Sequence, residues 1–491
     1  MLLNHLLESF FSNLPPREIL ALTLDSRTVA PGTLFVAIKG EKMDGRTYIP
    51  QAIAQGAIVV LKEDDTHKVE EVDGVLLLSL TALREKIGPI AARFYGYPAQ
   101  KLQMIGVTGT NGKTSITHFI AQSLQSLGTP CGVIGTLGSG FINGLKNIGL
   151  TTPDPISLQH TLKDLLDQGS KAIAMEVSSH SIDQGRINDL TFNTGIFTNL
   201  TQDHLDYHGT MEAYGAVKKR FLETWPINHL VINADDPYGQ KWLLELSHKN
   251  SVISYSLEKP QFALAQFASV YTQNLERHLA EMRCDVITPW GSGKLTLPLI
   301  GDFNLSNALA ALSALCLQNI PFNQAVAAIS KLAPVAGRLQ MLGGKDQPLV
   351  VVDYSHTPDS LEKALMALRA HTSGQLICVF GCGGDRDKLK RPQMAQVAER
   401  LADKIIITND NPRSEEPETI AEEILTGFTA RHSVTVQLDR SKAIAESIRC
   451  ASRQDCVLIA GKGAERYQLI GETKIPFDDV EQALKYLDRT C

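Results

Sequence analysis

A glycine-rich loop followed by lysine and threonine is the strongest chemical signal in this sequence. Residues 104–114 read Met-Ile-Gly-Val-Thr-Gly-Thr-Asn-Gly-Lys-Thr, so an apolar strand leads directly into the loop. Backbone N–H groups at the start of a following helix would face an anion, Lys113 would add a positive charge, and the Thr114 hydroxyl could bind Mg²⁺. The segment therefore predicts a phosphate-binding site. It departs from the regular P-loop pattern, whose first glycine would fall on Val107.

The residues after the loop predict the helix that a phosphate site requires. Apolar side chains recur on one helical face, and Gly128 provides a natural end. They are Ile116, Phe119, Ile120, Leu124 and Leu127. The alternative of a glycine-rich turn with an exposed lysine is disfavoured, because strand and helix are both in place. A GTP-dependent switch is also disfavoured, since no Asn-Lys-x-Asp motif for guanine follows.

Four further polar segments each follow the carboxyl end of a predicted strand in the last third of the chain. The strands are predicted at Leu349–Asp353, Leu376–Phe380, Ile405–Thr408 and Val457–Ala460. The polar segments are Tyr354–His356, Gly381–Arg386, Asn409–Arg413 and Gly461–Glu465. In open α/β sheets, ligands bind in the crevice outside these strand ends. Four polar segments at one edge favour a binding site over four unrelated turns.

Short aliphatic runs alternate with longer helical patterns along the whole chain. This alternation predicts an α/β protein with largely parallel sheets. Breaks near residues 98 and 334 suggest three domains. The domains are predicted at residues 1–98, 99–334 and 335–491.

Composition excludes several classes of protein. Hydrophobic residues make up 43% of the 491 residues and charged residues 20%, which is typical of a globular protein rather than a disordered one. Lys and Arg total 47 against 53 Asp and Glu, so a basic surface for nucleic acid is not indicated. The eight cysteines form no Cys-x-x-Cys pair, which favours free thiols in a reducing cytosol. A signal peptide and a membrane-spanning segment are not expected.

The phosphate loop is one of several segments that occur in the same order in a known family. Thr108–Thr114 resembles the ATP-binding loop of the Mur ligases and the folylpolyglutamate synthetases. The other matching segments are Glu176–His180, Asn199–Gly209, Gly301–Asn307 and Asp353–Pro358. Leu24–Arg27 and Asp44–Arg46 resemble the N-terminal domain of one branch, which adds the third residue to the peptidoglycan peptide. Ordered segments of this kind are far more specific together than singly.

The resemblance implies a fold and a reaction. The fold would comprise an α/β domain that binds the uridine nucleotide, a central P-loop ATPase domain with a mainly parallel sheet, and a doubly wound, Rossmann-like domain that binds an amino acid. ATP would phosphorylate a carboxylate of UDP-N-acetylmuramoyl-L-alanyl-D-glutamate, and the amine of the amino acid would attack the acyl phosphate. The expected protein is a cytoplasmic monomer that needs Mg²⁺ and has no nucleic-acid or membrane partner.

The reaction brings a phosphate and a carboxylate together, so their charges must be neutralised. The resemblance assigns metal binding to Thr114, Glu176 and His204, and it makes Lys113 a catalytic residue beside them. Lys218 matches the lysine that the family carbamylates. An ammonium group cannot bind Mg²⁺, whereas a carbamate formed with CO₂ can. The alternative for Lys218 is a solvated helix face formed by residues 218–220.

The resemblance also assigns residues to three binding sites. The nucleotide would contact Gly109, Thr110, Asn111, Gly112, Lys113, Thr114, Asn304, Asn307, Arg338 and Asp353. The UDP-linked substrate would contact Leu24, Ser26, Arg46, Thr151, Thr152, Ser178, Gln184 and Arg186. The amino acid would contact Arg386, Asp410, Asn411, Pro412, Arg413, Gly461 and Glu465. Simpler alternatives are helix capping by the two asparagines and a surface ion pair between Arg338 and Asp353.

Arg413 indicates which amino acid is added. The segment Asp410–Arg413 resembles that of diaminopimelate-adding enzymes, whereas the lysine-adding enzymes lack the arginine. A guanidinium group can bind a carboxylate through two parallel hydrogen bonds but repels an ammonium group. Arg386 is expected to bind the carboxylate at the reacting end of meso-diaminopimelate, and Glu465 with the Gly461 carbonyl the distal ammonium.

Several alternatives to this assignment remain. Arg413 could cap a turn or pair with Glu415 or Glu416. The chain could be a lysine-adding homologue or another amide ligase of the Mur or folylpolyglutamate type. A P-loop nucleotide switch is the more distant alternative.

Overall fold

The structure is a computed structural model, and it describes most of the chain. The described ranges are 1–40, 43–147, 149–249, 251–260, 266–278, 281–344, 346–370, 372–430 and 434–488. Residues 41 and 42, within the segment 40–44 whose uridine contacts the sequence leaves unassigned, lie outside them. Within these ranges the chain forms two compact units. The first comprises Met1–Gly106, Gly128–Gly195 and Arg220–Asn228, and the second comprises Val107–Leu127, Ile196–Lys219 and His229–Cys491.

Helices and strands alternate throughout the described residues. The strands are β1 (Ala21–Thr23), β2 (Thr33–Ala37), β3 (Ala57–Glu63), β4 (Lys68–Val72), β5 (Val75–Leu80), β6 (Gln103–Thr108), β7 (Cys131–Gly135), β8 (Gly138–Gly140), β9 (Ala172–Glu176), β10 (Phe192–Phe197), β11 (Ile227–Asn233), β12 (Val252–Tyr255), β13 (Ala268–Arg277), β14 (Met282–Thr288), β15 (Gly291–Leu297), β16 (Gln340–Gly343), β17 (Leu349–Asp353), β18 (Leu376–Phe380), β19 (Lys404–Ile407), β20 (Val434–Val436), β21 (Cys456–Ala460), β22 (Tyr467–Ile470) and β23 (Thr473–Pro476). The helices are α1 (Leu3–Leu6), α2 (Ile49–Ala54), α3 (Leu83–Phe94), α4 (Lys113–Ser126), α5 (Pro155–Asp167), α6 (Ser179–Asp183), α7 (Leu205–His208), α8 (Met211–Thr224), α9 (Pro237–Glu245), α10 (Asp302–Leu317), α11 (Phe322–Ile329), α12 (Pro358–Arg369), α13 (Lys390–Leu401), α14 (Pro417–Leu425), α15 (Arg440–Arg449) and α16 (Asp479–Leu487).

The first unit contains a five-stranded sheet near the amino terminus. Its strand order is β1-β2-β3-β5-β4, and only the pair β4–β5 is antiparallel. Helices α1 and α3 pack their leucine and isoleucine side chains on one face of this sheet. In the same unit β7 pairs in parallel with β9, which ends at Glu176. A buried parallel strand thus positions Glu176, the predicted catalytic glutamate.

Close backbone approach explains one glycine in the first unit. Gly88 lies in helix α3, where glycine normally weakens a helix. A Cβ atom at this position would come within 2.3 Å of the carbonyl oxygen of Asn188. The absence of a side chain therefore allows helix and loop to touch, and any larger residue would push them apart.

The second unit begins with the end of β6 and helix α4, and α4 packs against helix α10. The side chains of α10 are buried all round, as its alanine and leucine content requires of a helix enclosed by protein. The neighbouring strands β11, β12 and β13 pair in parallel, and β13, β14 and β15 pair antiparallel. Helix α4 follows the phosphate loop and ends before Gly128, as predicted.

A six-stranded sheet forms the last part of the second unit. Its order is β16-β17-β21-β18-β19-β20, and all pairs are parallel except β16–β17. Helices α12, α13 and α14 cover one face, and helices α15 and α16 cover the other. This arrangement is the predicted doubly wound fold, and the α/β class with mainly parallel pairing is confirmed. The boundaries of the three domains stay a prediction.

The predicted strands of this sheet are confirmed to within one residue. Strands β17 and β18 coincide with their predicted bounds, β19 ends one residue earlier than predicted, and β21 begins one residue earlier. Among the described helices, none combines the length and apolar character that crossing a bilayer requires.

A buried ion pair connects two loops of this sheet. Arg440 and Asp479, which begin α15 and α16, have fully buried side chains and form a two-bond salt bridge at 2.7 Å. The Arg440 guanidinium also donates to the carbonyl oxygens of Asn409 and Ala460 at 3.2 and 3.0 Å. Asn409 and Ala460 directly precede Asp410 and Gly461. The ion pair therefore fixes both loops that are predicted to bind the amino acid.

We expect Asp479→Asn to lower the free energy of unfolding by about 3–5 kcal/mol, because it leaves the Arg440 guanidinium buried without its counter-charge. Denaturant unfolding measures the change. Glu362→Gln is the matched control: its partner Arg400 lies on the surface, and we expect a loss below about 1 kcal/mol. Equal effects of the two substitutions would contradict the prediction.

Candidate active site

The phosphate loop has the backbone geometry that anion binding requires. Gly109 and Gly112 have positive φ angles of 143° and 90°, and helix α4 begins at Lys113. A Cβ at Gly109 would lie 1.8 Å from Thr198 Oγ1, so only glycine fits. Lys113 Nζ donates to the carbonyl oxygens of Gly109 and Thr110 at 2.9 and 2.7 Å. The lysine is thereby folded back along the loop.

A neighbouring strand end braces this loop. The Asn199 side chain accepts from the Asn111 backbone N–H at 3.0 Å and donates to the Asn111 carbonyl at 3.1 Å. The Asn111 side chain donates to Asp359 Oδ2 at 3.0 Å. Asn199 is the first residue of one family segment, yet its bracing role has no signal in the spacing of residues.

Lys218 is buried and contacts the phosphate loop. Its Nζ donates to the carbonyl oxygen of Gly109 at 2.7 Å and lies 4.7 Å from the centre of the Tyr214 ring. The side chain is only 1% exposed, so a solvated helix face is the wrong description of Lys218. Burial and the charge of Lys113 lower its pKa well below the usual value, although Asp203 opposes the shift. A lysine in this setting more readily loses its proton.

His204 belongs to a cluster of two histidines around a buried aspartate. The Nε2 atoms of His204 and His356 lie 3.4 and 3.7 Å from Asp203 Oδ2. Burial alone would raise the pKa of Asp203, but the hydrogen bond from His356 and the charges of His204 and Lys390 hold it well below its usual value. Sequence reasoning missed Asp203 and His356, although both lie in the family segments.

Glu176 lies in the first unit together with all the residues predicted to bind the UDP-linked substrate. Its carboxylate accepts from the Thr136 backbone N–H at 2.9 Å and from the Thr136 hydroxyl at 3.2 Å. Its carbonyl oxygen accepts from the Thr152 hydroxyl at 2.9 Å. Glu176 and Thr114 belong to different units, so their meeting at one ion stays a prediction.

The predicted substrate residues near Glu176 form one hydrogen-bonded group. Thr152 Oγ1 lies 3.3 Å from Ser178 Oγ, and Arg186 donates to the Thr152 carbonyl at 2.9 Å. The Arg186 guanidinium also donates to Gln184, and the Thr151 hydroxyl lies 3.2 Å from that of Thr136. The structure therefore brings these five predicted residues together.

The other substrate residues lie in the amino-terminal part of the first unit. Ser26 donates to Gln51 at 3.1 Å, and Leu24 is half-buried. Arg46 binds Asp44 through a forked contact that lowers the pKa of Asp44 to about 2. Their role toward a substrate stays a prediction.

The residues predicted to bind the nucleotide differ in whether they contact the phosphate loop. Asn307 approaches the loop, since a Cβ at Gly112 would lie 2.6 Å from Asn307 Oδ1. Asn304 donates its side-chain amide to the Ile300 carbonyl at 2.8 Å. This contact is not a helix cap, because a capping side chain accepts from backbone N–H groups at the helix start. Arg338 stacks on the Tyr354 ring at 4.3 Å and donates to the Thr114 hydroxyl at 3.1 Å.

Asp353 is a buried carboxylate rather than a member of a surface ion pair. It accepts from the Leu339 backbone N–H at 2.6 Å and from the Ser355 hydroxyl. Burial raises its pKa against the hydrogen bond from Ser355. The side chain thus holds the segment that carries Arg338 against the end of β17.

Two arginines meet at Gly383 in the loop after β18. A Cβ at Gly383 would lie 2.7 Å from Arg413 Nη1 and 3.7 Å from Arg386 Cγ. Arg413 Nη1 donates to the Gly384 carbonyl at 2.7 Å, whereas its Nε and Nη2 have no hydrogen-bond partner among the described residues. Burial and the neighbouring Arg386 lower the pKa of Arg413. This unpaired guanidinium edge is suited to a carboxylate ligand.

Glu415 does not pair with Arg413. Its carboxylate receives two hydrogen bonds from the buried Arg391, both at 2.9 Å, and lies 3.1 Å from Lys388 Nζ. The bonds from Arg391 lower its pKa to about 2. The alternative that Arg413 is neutralised by Glu415 is therefore wrong.

Asp410, Asn411 and Glu465 lie together at the same sheet edge, in the loops after β19 and β21. A Cβ at Gly461 would meet Asp410 Oδ2 at 2.5 Å. Asn411 Nδ2 donates to Glu465 Oε2 at 2.9 Å, while Glu465 Oε1 has no partner among the described residues. The structure brings into contact the residues of these two loops that are predicted to bind the amino acid.

Three family models match successive parts of the chain. Residues 18–95 match the catalytic domain of the Mur ligase family, residues 107–315 the Mur ligase middle domain, and residues 337–463 the Mur ligase glutamate ligase domain. The fold and the phosphate loop thus define an α/β ligase of three family domains. The chain belongs to the Mur ligase family.

Relatives of high identity span nearly the full length. A protein from Coxiella burnetii is 48% identical over 96% of both chains, and one from Pseudomonas aeruginosa is 46% identical over 99% of this chain and 98% of its own. Both are named UDP-N-acetylmuramoyl-L-alanyl-D-glutamate–2,6-diaminopimelate ligase. A solved structure with that name is 34% identical, with a TM-score of 0.70 over 100% and 99% of the two chains.

A more distant structure shares the fold. MurF from Acinetobacter baumannii is 18% identical and has a TM-score of 0.67 over 93% of this chain and 94% of its own.

We expect Glu415→Gln to destabilise the protein by roughly 1–3 kcal/mol at neutral pH, since a carboxylate held by Arg391 is removed. The native pKa of about 2 lies below the unfolded value, so the stabilisation is complete above pH 4.5 or so and is lost as the pH falls toward 2. Unfolding free energies measured across this range test the prediction. The exposed Glu416→Gln serves as control, and a pH-independent difference for Glu415→Gln would contradict it.

Proposed function

We propose that this protein uses ATP to join meso-diaminopimelate to UDP-N-acetylmuramoyl-L-alanyl-D-glutamate. The observation that carries the proposal is the Arg413 guanidinium, which is anchored through Nη1 while its Nε and Nη2 have no partner among the residues that the structure describes. Such an edge matches the distal carboxylate that diaminopimelate has and lysine lacks. The names of relatives at 44–48% identity support the same reaction. A nucleotide switch is not supported, because the family consists of ligases.

The chain's residues divide the work of the reaction. The loop N–H groups and Lys113 bind the phosphates of ATP while a substrate carboxylate attacks the γ-phosphorus and ADP leaves. The amine then attacks the acyl carbon, loses a proton and displaces phosphate. Arg338, which already contacts Thr114, joins the phosphate loop to the segment that precedes β17. Enclosure of the acyl phosphate by these groups limits its loss to water.

Magnesium is part of the proposal. Thr114, Glu176, His204 and the carbamate of Lys218 would hold it, and their mostly oxygen donors suit a hard cation. No group of three His, Cys, Asp or Glu side chains is gathered for a metal within the described ranges. This is compatible with Mg²⁺, which keeps several waters and binds substrate phosphates. The bound ion would neutralise charge that develops between the two anions.

The environment of Lys218 supports carbamylation. A neutral amine can attack the carbon of CO₂ and release one proton, which leaves an anionic carbamate. Burial and the adjacent Lys113 lower the pKa of Lys218, and both favour the neutral amine that this step needs. The uncharged form also relieves the crowding of two ammonium groups at the Gly109 carbonyl.

We also propose that the enzyme is a cytoplasmic monomer. ATP and a UDP-linked substrate are small molecules of the cytoplasm, and the proposed reaction needs neither nucleic acid nor insertion into a membrane. All substrate-binding residues assigned above belong to one chain.

We expect phosphate release from ATP only when both the UDP-linked dipeptide and meso-diaminopimelate are present. L-Lysine in place of meso-diaminopimelate should support little release, because its ammonium would face Arg413. A colorimetric phosphate assay with purified protein and a panel of amino acids measures both. Equal use of the two amino acids would overturn the proposed specificity, and release without the dipeptide would overturn the proposed reaction.

The variant Arg413→Ala sharpens this experiment. Loss of a desolvated charge pair costs on the order of 2–5 kcal/mol, so the KM for meso-diaminopimelate should rise about 30-fold or more. The KM for ATP should change little. Arg466→Ala is a matched control, since its exposed side chain lies in the same domain outside the proposed site.

Lys218→Ala should lose most of its activity, since no carbamate can form. A short-chain carboxylate such as acetate should restore part of it by occupying the space of the missing anion. Initial rates with and without the supplement measure the effect. Lys219→Ala is the control, because Lys219 is the neighbouring lysine on the same helix and pairs with Glu245. Full activity of unsupplemented Lys218→Ala would contradict carbamylation.

A further inference from the structure

Lys462 is a fully buried cation in the middle of the proposed amino-acid site. It lies in the loop after β21, between Gly461 and Glu465, and its side chain has no exposed surface. Its Nζ donates to Asn411 Oδ1 and to Glu465 Oε2, both at 3.0 Å. The same atom lies 5.6 Å from the centre of the Tyr467 ring. None of the roles derived above uses this ammonium group.

The contacts of Lys462 join the two loops that carry the predicted ligands. Asn411 belongs to the loop after β19, and Glu465 to the loop after β21. Asn411 in turn donates to Glu465 Oε2 at 2.9 Å and accepts from the Leu469 backbone N–H at 2.9 Å. One carboxylate oxygen of Glu465 therefore receives two hydrogen bonds, and the other has no partner among the described residues.

We propose that Lys462 is a positioning residue that fixes the Glu465 carboxylate for the distal ammonium group of the incoming amino acid. The inference rests on the proposed function and deepens it. By occupying Oε2, Lys462 and Asn411 hold Glu465 in one orientation and leave Oε1 to the substrate.

The buried position explains why lysine rather than arginine suits this role. A compact ammonium group supplies three donors from one atom, whereas a guanidinium would need a larger planar space. Because the Lys462 ammonium group donates to Asn411 and Glu465, it does not compete with Arg413 for the substrate carboxylates. The site then offers a cationic edge at Arg413 and an anionic oxygen at Glu465, which is the charge pattern of the distal end of diaminopimelate.

A double-mutant cycle between Lys462→Met and Glu465→Gln tests the inference. Each single change should raise the KM for meso-diaminopimelate by about ten-fold or more, as expected for a lost charged hydrogen bond, with the KM for ATP nearly unchanged. The double variant should lose no more than Glu465→Gln alone, because Lys462 acts through Glu465. Additive losses would overturn the inference.

A substrate analogue gives a readout that a merely structural role would not move. L-2-Aminopimelate retains the distal carboxylate and lacks the distal amine. Lys462→Met should change its KM less than about three-fold, whereas a general disruption of the loop would weaken both amino acids equally. Equal losses for the two amino acids would overturn the proposal. Should Lys462→Met fail to fold by thermal unfolding, Lys462→Gln is judged by the same two criteria.

Lys474→Met is the matched control. Lys474 is exposed on β23 and lies 4.6 Å from the same Tyr467 ring, yet it contacts neither Glu465 nor Asn411. Its KM values should equal those of the unmodified protein. If the unmodified protein does not use meso-diaminopimelate, the proposed function fails together with the inference. If it does, and the cycle is additive, only the role of Lys462 fails.

Discussion

Two lysine ammonium groups share one backbone carbonyl oxygen at the phosphate loop. Lys113 and Lys218 donate to the Gly109 carbonyl at 2.9 and 2.7 Å, and Lys218 is almost completely buried. Like charges this close raise each other's energy in a medium of low dielectric constant. The arrangement therefore favours loss of one proton, and burial makes Lys218 the group whose pKa is lowered. Gly109 makes it possible, because any side chain there would strike Thr198 and displace the carbonyl.

The same electrostatic constraint governs the edge of the six-stranded sheet. Arg386 and Arg413 approach each other at Gly383, and the nearest carboxylate in sequence, Glu415, is bound by Arg391. If Glu415 paired with Arg413 instead, the substrate carboxylate would have to displace it at a large cost in desolvation. Arg391 thus keeps Glu415 away from the Arg413 guanidinium while its own charge is neutralised.

Many of these strands and loops could be predicted from sequence, because each is formed by residues that are neighbours along the chain. Apolar runs predicted the strands β17, β18, β19 and β21, and the polar residues after them do lie at one edge of the sheet. That this edge binds a ligand stays a prediction. The supporting side chains were not predictable in the same way. Asp203 and His356 are 153 residues apart in sequence, and Lys462 and Asn411 are 51 apart. Only the folded chain brings such pairs together, since spacing encodes neighbours along one element and not contacts between loops.

The buried and partly buried arginines differ in the groups that accept their hydrogen bonds. Arg440 and Arg391 are fully buried and paired with carboxylates, so their charges are satisfied within the fold. Within the described part of the chain, Arg338, Arg386 and Arg413 hydrogen-bond only to backbone carbonyl groups or a hydroxyl. A carbonyl oxygen holds a guanidinium in place without cancelling its charge, so a donor edge and a net charge remain for a ligand. Residues of the same type can therefore stabilise the fold or bind an anion, and the nature of the acceptor decides which.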